Sequence, residues 1–354
     1  MQNACRAEGF DAGQHSYSRV KKLISVCCPA YNESDCIDEL VQRLGLVADG
    51  LSDRYDFEFI ICENGSIDDT YEKLLAARER DVRVKIVRLA RNFYAEGALT
   101  AALAHARGDA AVLMYSDLQD PPEYIPQFIE KWEQGYQNVY AVVVKRTGES
   151  KFRQILARSY YRVVDRLSDS PLPRNVSDFR LVDRAAYQTF LSMPERYRVM
   201  RFMWAWMGFK SIGIDTERPA RGGGSSKFRF LDTFHSALRT ILAQTRTPLT
   251  IIPAFGFGCA LVSFALLTFE VFRAVFFGVP FGGFGTIVAL MLLLFGLLFG
   301  FLWMVSEYVG MIFEEVRHRP IYILSKSVGL EGRRPVDPGE SERLVHYLSA
   351  SEDQ

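Results

Sequence analysis

The sequence predicts an α/β domain built on a mostly parallel sheet and followed by two transmembrane helices. Three observations lead there. From Lys22 to about Asp215, apolar runs of β type alternate with amphipathic stretches, the pattern of strands joined by crossover helices. Between residues 248 and 306 the only charged side chains are Glu270 and Arg273. Within that stretch, residues 251–269 and 284–306 are uncharged for 19 and 23 residues, which matches the roughly 20 residues needed to cross about 30 Å of hydrocarbon. Two buried core helices would be expected to keep a polar face over such lengths.

The strands predicted in order are 23–28, 57–62, 82–89, 110–115 and 139–144, and the helices between them 34–46, 68–80, 95–107 and 122–134. Ser66 with Asp69 three residues on reads as a capping box opening the second helix. Residues 229–247 place Phe230, Leu231, Phe234, Leu238, Ile241 and Leu242 at near-helical spacing around His235 and Arg239, an amphipathic helix lying in the membrane interface. The domain plan is therefore an N-terminal tail (1–21), an α/β domain (22–228), the interfacial helix (229–247), a two-helix transmembrane hairpin (248–306) and a C-terminal tail (307–354).

The 42 Lys and Arg residues balance the 42 Asp and Glu, so no net charge draws the chain to nucleic acid. Arg229, Arg239 and Arg246 precede the first span, and Arg317, His318 and Arg319 follow the second, whereas the hairpin holds only Arg273. That asymmetry puts both ends, and with them the large α/β domain, on the cytoplasmic side of a plasma (inner) membrane crossed more than once. The start of the chain has no apolar run and is not read as a signal peptide. Six cysteines without a CxxC pair suit reduced thiols in that compartment.

Open α/β sheets bind ligands where loops leave the carboxyl ends of the strands, and the polar residues gather there. The first strand runs into Pro29, Tyr31, Asn32 and Glu33, the second into Glu63, Asn64, Gly65 and Ser66, and the fourth into Ser116, Asp117, Leu118, Gln119 and Asp120. Neither GxGxxG after the first strand nor GxxxxGK[ST] anywhere occurs, so a dinucleotide oxidoreductase and a Walker-type ATPase are poorly supported. Asp117 and Gln119 together suit Mg²⁺ or Mn²⁺, hard ions that leave positions for substrate phosphates. Taken alone, an Asp followed by Pro121 and Pro122 is more often a turn residue, and it is the combination with the other loops that favours the metal reading.

Five segments in order, PAYNES, CENGSIDDT, SDLQDPPE, VSDFRLVDR and RPARGGGSSKF, span residues 29–228, and HRPIY follows the second apolar stretch. With them the chain resembles family 2 glycosyltransferases of GT-A (Rossmann-like) fold, specifically the polyprenyl-phosphate glycosyltransferases related to dolichol-phosphate mannosyltransferase and bactoprenol glucosyltransferase. The resemblance implies donor-nucleoside contacts from Pro29, Tyr31, Glu33, Ile61 and Glu63, and diphosphate and metal contacts from Ser116, Asp117 and Gln119. It further implies phosphate contacts from Arg146, Arg221 and Lys227, with Asp178 facing the acceptor. A guanidinium can grip a phosphate bidentately, and Gly222 to Gly224 would let a loop close over it. From its neighbours alone Asp178 reads equally as a helix cap.

The activity so implied is inverting transfer of a sugar from a UDP- or GDP-linked donor to polyprenyl (undecaprenyl) phosphate, a step of cell-envelope polysaccharide synthesis. The sequence leaves the donor sugar, the lipid length and homo-oligomerisation open. Tyr115 stands where the family often has an acid, Tyr94, Ala95 and Glu96 where it has Gly-His-Gln, and Asn64 where a second acid is frequent. These departures thin the metal site and motivate the alternative of a catalytically silent membrane scaffold. A polysaccharide synthase, the other alternative, typically carries a QxxRW motif and more spans.

Overall fold

The computed structural model describes residues 21–146, 175–218, 247–277 and 284–330. In chain order the first elements are β1 (Lys22–Ala30), α1 (Ser34–Gly50), β2 (Tyr55–Glu63), α2 (Thr70–Arg80), β3 (Val84–Leu89), α3 (Tyr94–Ala104), β4 (Ala110–Leu113) and, after a 3₁₀ turn at Pro122–Tyr124, α4 (Ile125–Glu133). β5 (Asn138–Arg146), β6 (Val176–Asp183), α5 (Arg184–Ser192), α6 (Met200–Trp206) and β7 (Ser211–Arg218) follow. α7 (Thr247–Phe277), α8 (Phe284–Val316) and β8 (Leu324–Val328) end the described chain.

One eight-stranded sheet runs in the order β7-β5-β6-β4-β1-β2-β3-β8. Its centre, β4-β1-β2-β3, is parallel. The expected parallel sheet is nonetheless a mixed one, because β6 lies antiparallel to both β4 and β5, and β8 antiparallel to β3. β1 and β2 are mostly apolar on both faces, Ser25 and Glu58 being polar exceptions, because each face is covered by helices. Ile24, Val26, Phe59, Ile61 and Ile86 pack under α1, α2 and α4. Cys27, Ile60, Cys62, Val87 and Leu113 pack under α3, α5 and α6.

The five predicted strands and four predicted helices form near their expected places, but three strands were not anticipated. β6 was read only as a motif, and β7 has most of its residues at least partly exposed. β8 lies inside what the sequence plan made a tail: residues 307–316 continue α8, β8 closes the sheet edge through Ile86↔Val328 and Val87↔Ser327, and Leu330 is buried in the core. The capping box at Ser66 and Asp69 does not form. Asp69 caps α2 without a side-chain bond, and it is Asp68 that accepts from the Thr70 amide at 3.2 Å and from the Ser34 amide at 3.2 Å.

Both apolar stretches are helical. Within α8, Leu294–Val316 is 23 residues long and by length and composition apolar enough to cross a membrane, and none of it is buried against the rest of the protein. This window lies toward the C-terminus of the expected second stretch. The expected interfacial helix falls outside the described residues except Thr247, which opens α7.

Candidate active site

The loops at the carboxyl ends of β1, β2 and β4 are tied to one another by side-chain bonds. Ser66 Oγ accepts from the Asn32 amide at 3.1 Å, Thr70 Oγ1 from the Glu33 amide at 3.0 Å, and Asn32 Oδ1 from the Ile67 amide at 2.9 Å. Ser116 Oγ donates to the Pro29 carbonyl at 2.8 Å. Asn64 joins the third loop in the same way: its Oδ1 accepts from the Phe93 amide at 2.9 Å, and its Nδ2 donates to Asn92 Oδ1 at 3.1 Å and to the Tyr94 carbonyl at 3.0 Å. Asn64, which departs from the acid frequent in related sequences, thus serves as a clamp on the 92–94 turn.

Gly65 sits between these bonds with φ +71°, and a Cβ there would lie 2.6 Å from the Arg91 carbonyl carbon. Only glycine satisfies both the left-handed backbone and the close approach. Gly65→Ala is expected to cost about 1–3 kcal/mol in stability and to lower transfer by loosening the junction. A thermal melt and a transfer assay check it, and an unchanged melt overturns it.

Of the predicted donor residues, Tyr31, Glu33, Asp117 and Gln119 are part-exposed at the loop cluster, whereas Pro29, Ile61, Glu63 and Ser116 are buried behind it. Ile61 has no exposed surface and belongs to the core under α1 and α2, because its strand position points it into that layer. Glu63 is also fully buried, accepting from the Ser66 amide and pairing with Arg88 Nε at 2.9 Å. Both shape the loop from beneath rather than lining its surface. Arg146 ends β5, level with Arg218 at the end of β7. Arg221 and Lys227 lie outside the described residues.

Asp117 begins a tight turn. Its Oδ1 accepts from the Gln119 amide at 3.2 Å, and Leu118 between them has φ +61°. The neighbouring Asp120 turns inward, accepting from the Tyr115 amide at 3.2 Å and facing Arg218 Nη2 at 3.4 Å; burial pushes its carboxyl up to about 6 despite that guanidinium. Among the described residues, no group of three or more His, Cys, Asp or Glu side chains is disposed to hold a metal. Asp117 and Gln119 therefore fit Mg²⁺ or Mn²⁺ of the kind held by one carboxylate and completed by substrate phosphates, not an all-protein cage.

Asp178 is a strand residue, which removes the helix-cap reading. β6 runs antiparallel to β4 with Leu113↔Arg180 in register, so two residues further along Tyr115 and Asp178 come level. The Tyr115 hydroxyl donates to Asp178 Oδ2 at 3.4 Å. Arg201 of α6 takes both carboxylate oxygens, Nε to Oδ1 at 2.9 Å and Nη2 to Oδ2 at 2.8 Å. Burial would raise this carboxyl, but the guanidiniums of Arg201, Arg180 and Arg218 outweigh it and hold the group below the usual carboxylate range. Arg180 is itself buried, donates to the Ser177 and Asp178 carbonyls, and lies over the Trp204 ring at 5.7 Å. Its burial brings it down to about 10.

Arg180, Arg201 and Arg218 were not anticipated as site residues. A signal existed for two of them: Arg180 stands between Phe179 and Leu181, and Arg201 among Val199, Met200, Phe202 and Met203. An arginine inside an apolar run is rarely buried without a partner.

A mixed α/β sheet of Rossmann-like GT-A form, with acidic and amide side chains on the loops at its carboxyl edge, is the framework of a sugar-transferring enzyme. The model of glycosyl transferase family 2 matches residues 25–191. The chain is 35% identical over 309 residues, 87% of its own length and 96% of the relative's, to an uncharacterized glycosyltransferase of Synechocystis. It is 31% identical over 304 residues, 86% and 98% of the two chains, to the SfII prophage-derived bactoprenol glucosyl transferase of Shigella flexneri. It is also similar to the solved structure of glucosyl-3-phosphoglycerate synthase from Mycobacterium tuberculosis with Mn²⁺, UDP and glucosyl-3-phosphoglycerate, at 22% identity and TM-score 0.45, over 68% of this chain and 86% of that one. The chain belongs to glycosyl transferase family 2 and is a glycosyltransferase.

Proposed function

We propose that this glycosyltransferase is membrane-bound and inverting, and that it moves a sugar from a UDP- or GDP-linked donor to the phosphate of a polyprenyl lipid at the cytoplasmic face. The observation that carries the reading is the state of Asp178. Held by Arg201 below the usual carboxylate range, it is a poor proton acceptor, and a phosphate acceptor needs none. A phosphate oxygen is already anionic near neutral pH, so the protein's main contributions are alignment of the two substrates and stabilisation of the departing diphosphate.

Asp117 and Gln119 would face the donor diphosphate and hold Mg²⁺ or Mn²⁺, which supplies positive charge to the leaving group when bound. Tyr31 and Glu33 would border the nucleoside, and Asp178 would orient the acceptor. Arg146, Arg221 and Lys227 would meet phosphates. The relatives named bactoprenol glucosyl transferases, similar over nearly their whole length, support a lipid acceptor. Stretches 251–269 and 284–306 would both span the membrane, with the flanking cations fixing both ends inside.

The full-length protein in detergent, given labelled UDP-glucose, UDP-GlcNAc or GDP-mannose with undecaprenyl phosphate, is expected to form a lipid-linked sugar from one of them. Transfer to no polyprenyl phosphate with any donor, from protein that binds a nucleotide sugar, would overturn the acceptor assignment. The same result without donor binding would favour the silent-scaffold alternative, which Tyr115 and Glu96 motivate.

A further inference from the structure

Three carboxyl groups crowd the acceptor side of the loop cluster, and their surroundings separate them. Asp120 on the β4 loop is buried, whereas Glu96 on α3 is an exposed residue. Asp178 on β6 is half-buried, with a side chain 14% exposed, and its carboxyl is held below the ordinary value by the neighbouring guanidiniums. The other charged or titratable groups facing it are Tyr115, Arg180, Arg201 and Arg218. The geometric difference lies in the cation. Asp120 has one arginine nitrogen at 3.4 Å, whereas Asp178 has two parallel N–H···O bonds from a single guanidinium at 2.9 and 2.8 Å. A fork of that kind fixes the plane of a carboxylate as well as its charge, which a point cation does not.

The contact also joins elements far apart in sequence. Asp178 lies near the start of β6, whereas Arg201 stands on α6, beyond the residues matched by the family model. Its stabilising value is a weak reason for such a pair, because a buried ion pair replaced by well-packed apolar side chains is often neutral in stability. The Arg201 side chain is 38% exposed and that of Asp178 14%, so the pair is not sealed inside the core.

We propose that Arg201 is a positioning residue for sugar transfer: its two-pronged grip holds the Asp178 carboxylate in the one orientation that meets the acceptor, and it acts on the reaction through Asp178. This rests on the assignment of Asp178 to the acceptor side. Tyr115 completes the arrangement by donating to Oδ2, so the tyrosine that replaces a frequent acid contributes a third direction of restraint in place of a metal ligand.

A double-mutant cycle on full-length protein tests it, with transfer from the preferred nucleotide sugar to undecaprenyl phosphate as the readout. Arg201→Ala is expected to lower kcat about 10- to 100-fold, the usual effect of losing the group that orients a functional side chain, with donor KM unchanged. Arg201→Lys keeps the charge without the fork and is expected to recover less than a third of the loss. In the Asp178→Asn background, adding Arg201→Ala should cost no more than about twofold, because the residue it positions is already gone. Two results overturn the proposal: additive losses, which would mean that Arg201 meets a substrate itself, or full rescue by lysine, which would mean that charge alone suffices. Thermal melts of each variant separate misfolding from mispositioning, and if Arg201→Ala fails to fold, Arg201→Lys in the two backgrounds completes the cycle. Wild-type enzyme that transfers nothing to the lipid overturns the acceptor assignment, whereas an active wild type with an additive cycle overturns only the role of Arg201.

Discussion

Asp117→Asn is expected to lower sugar transfer on the order of 10³-fold, the upper range for one preorganised electrostatic contact, and to leave the melting temperature unchanged. The two halves of that expectation come from two different atoms' worth of chemistry. The turn needs an acceptor at Oδ1 for the Gln119 amide, and asparagine supplies it in the same place, so Leu118 keeps its left-handed backbone. The donor diphosphate needs negative charge at this position to hold a divalent ion against it, and asparagine removes it. Within the β4 loop the neighbouring carboxylate does not compensate, because Asp120 is turned toward Arg218 and the Tyr115 amide. Steady-state transfer with saturating donor, before and after exhaustive chelation of the wild type, checks it. Full turnover by chelated wild type, or an Asp117→Asn rate within tenfold of wild type, would return Asp117 to the role of a turn residue alone.

Much of this arrangement was legible in the sequence because its parts are local. β1 and β2 announce themselves as mostly apolar runs ending in polar loops, and Ser116, Asp117 and Gln119 follow β4 within a few residues, although their metal reading came from the combination with the other loops. β6 was hidden by its own polar residues. Ser177, Asp178 and Arg180 break the apolar pattern of a central strand, and Arg180 is tolerated inside only because two backbone carbonyls and the Trp204 ring receive it. β8 was hidden for another reason: five mostly exposed residues carry almost no pattern, and their partner β3 lies more than two hundred residues earlier in the chain.

The site divides along the same line. Asp117, Gln119, Tyr31 and Glu33 reach the loop cluster as their positions after strands suggest. The resemblance placed Glu63 and Ile61 among the donor contacts, and in the structure both are fully buried: Ile61 packs in the core under α1 and α2, and Glu63 pairs with Arg88 on the neighbouring strand. The grip of Arg201 on Asp178 follows from the antiparallel entry of β6, which no spacing within either segment encodes. The link from α8 back to the enzyme is of this long-range kind too: Glu315 accepts from the Arg196 amide at 3.2 Å, and the Ile323 carbonyl from the Ala90 amide at 2.9 Å, next to the loop that carries Asn92 and Tyr94.

Glu58→Ala is expected to destabilise the protein by about 3–5 kcal/mol, the usual penalty for leaving the other members of a buried charged network unpaired, and to lower the melting temperature by about 10 °C. Glu58 is 1% exposed at the end of the sheet away from the loop cluster. Its Oε1 accepts from Ser25 Oγ at 2.7 Å and from the Arg107 amide at 2.9 Å, and its Oε2 from Lys85 Nζ at 2.7 Å. Ser25 Oγ in turn accepts from the Gly108 amide at 2.8 Å, where a Cβ would come within 2.6 Å of the Ser25 nitrogen. Alanine therefore strands an ammonium, a hydroxyl and an amide together and leaves a void among them. Burial is the largest single influence on this carboxyl and pushes it up, but Lys85, Ser25 and the Arg107 amide together hold it below its ordinary value. A depressed acid stabilises the folded state above its unfolded value of about 4.3, and that stabilisation is lost as pH falls through the folded value. The deficit of Glu58→Ala should accordingly be full at pH 7 and shrink below about pH 4, whereas Glu58→Gln, which keeps the shape and the acceptor for Ser25, should lose about half as much at neutral pH. Melting of the full-length protein in detergent across that range decides it: a pH-independent deficit would mean that alanine costs only the void, and a deficit under about 1 kcal/mol would mean that the network contributes nothing to the fold.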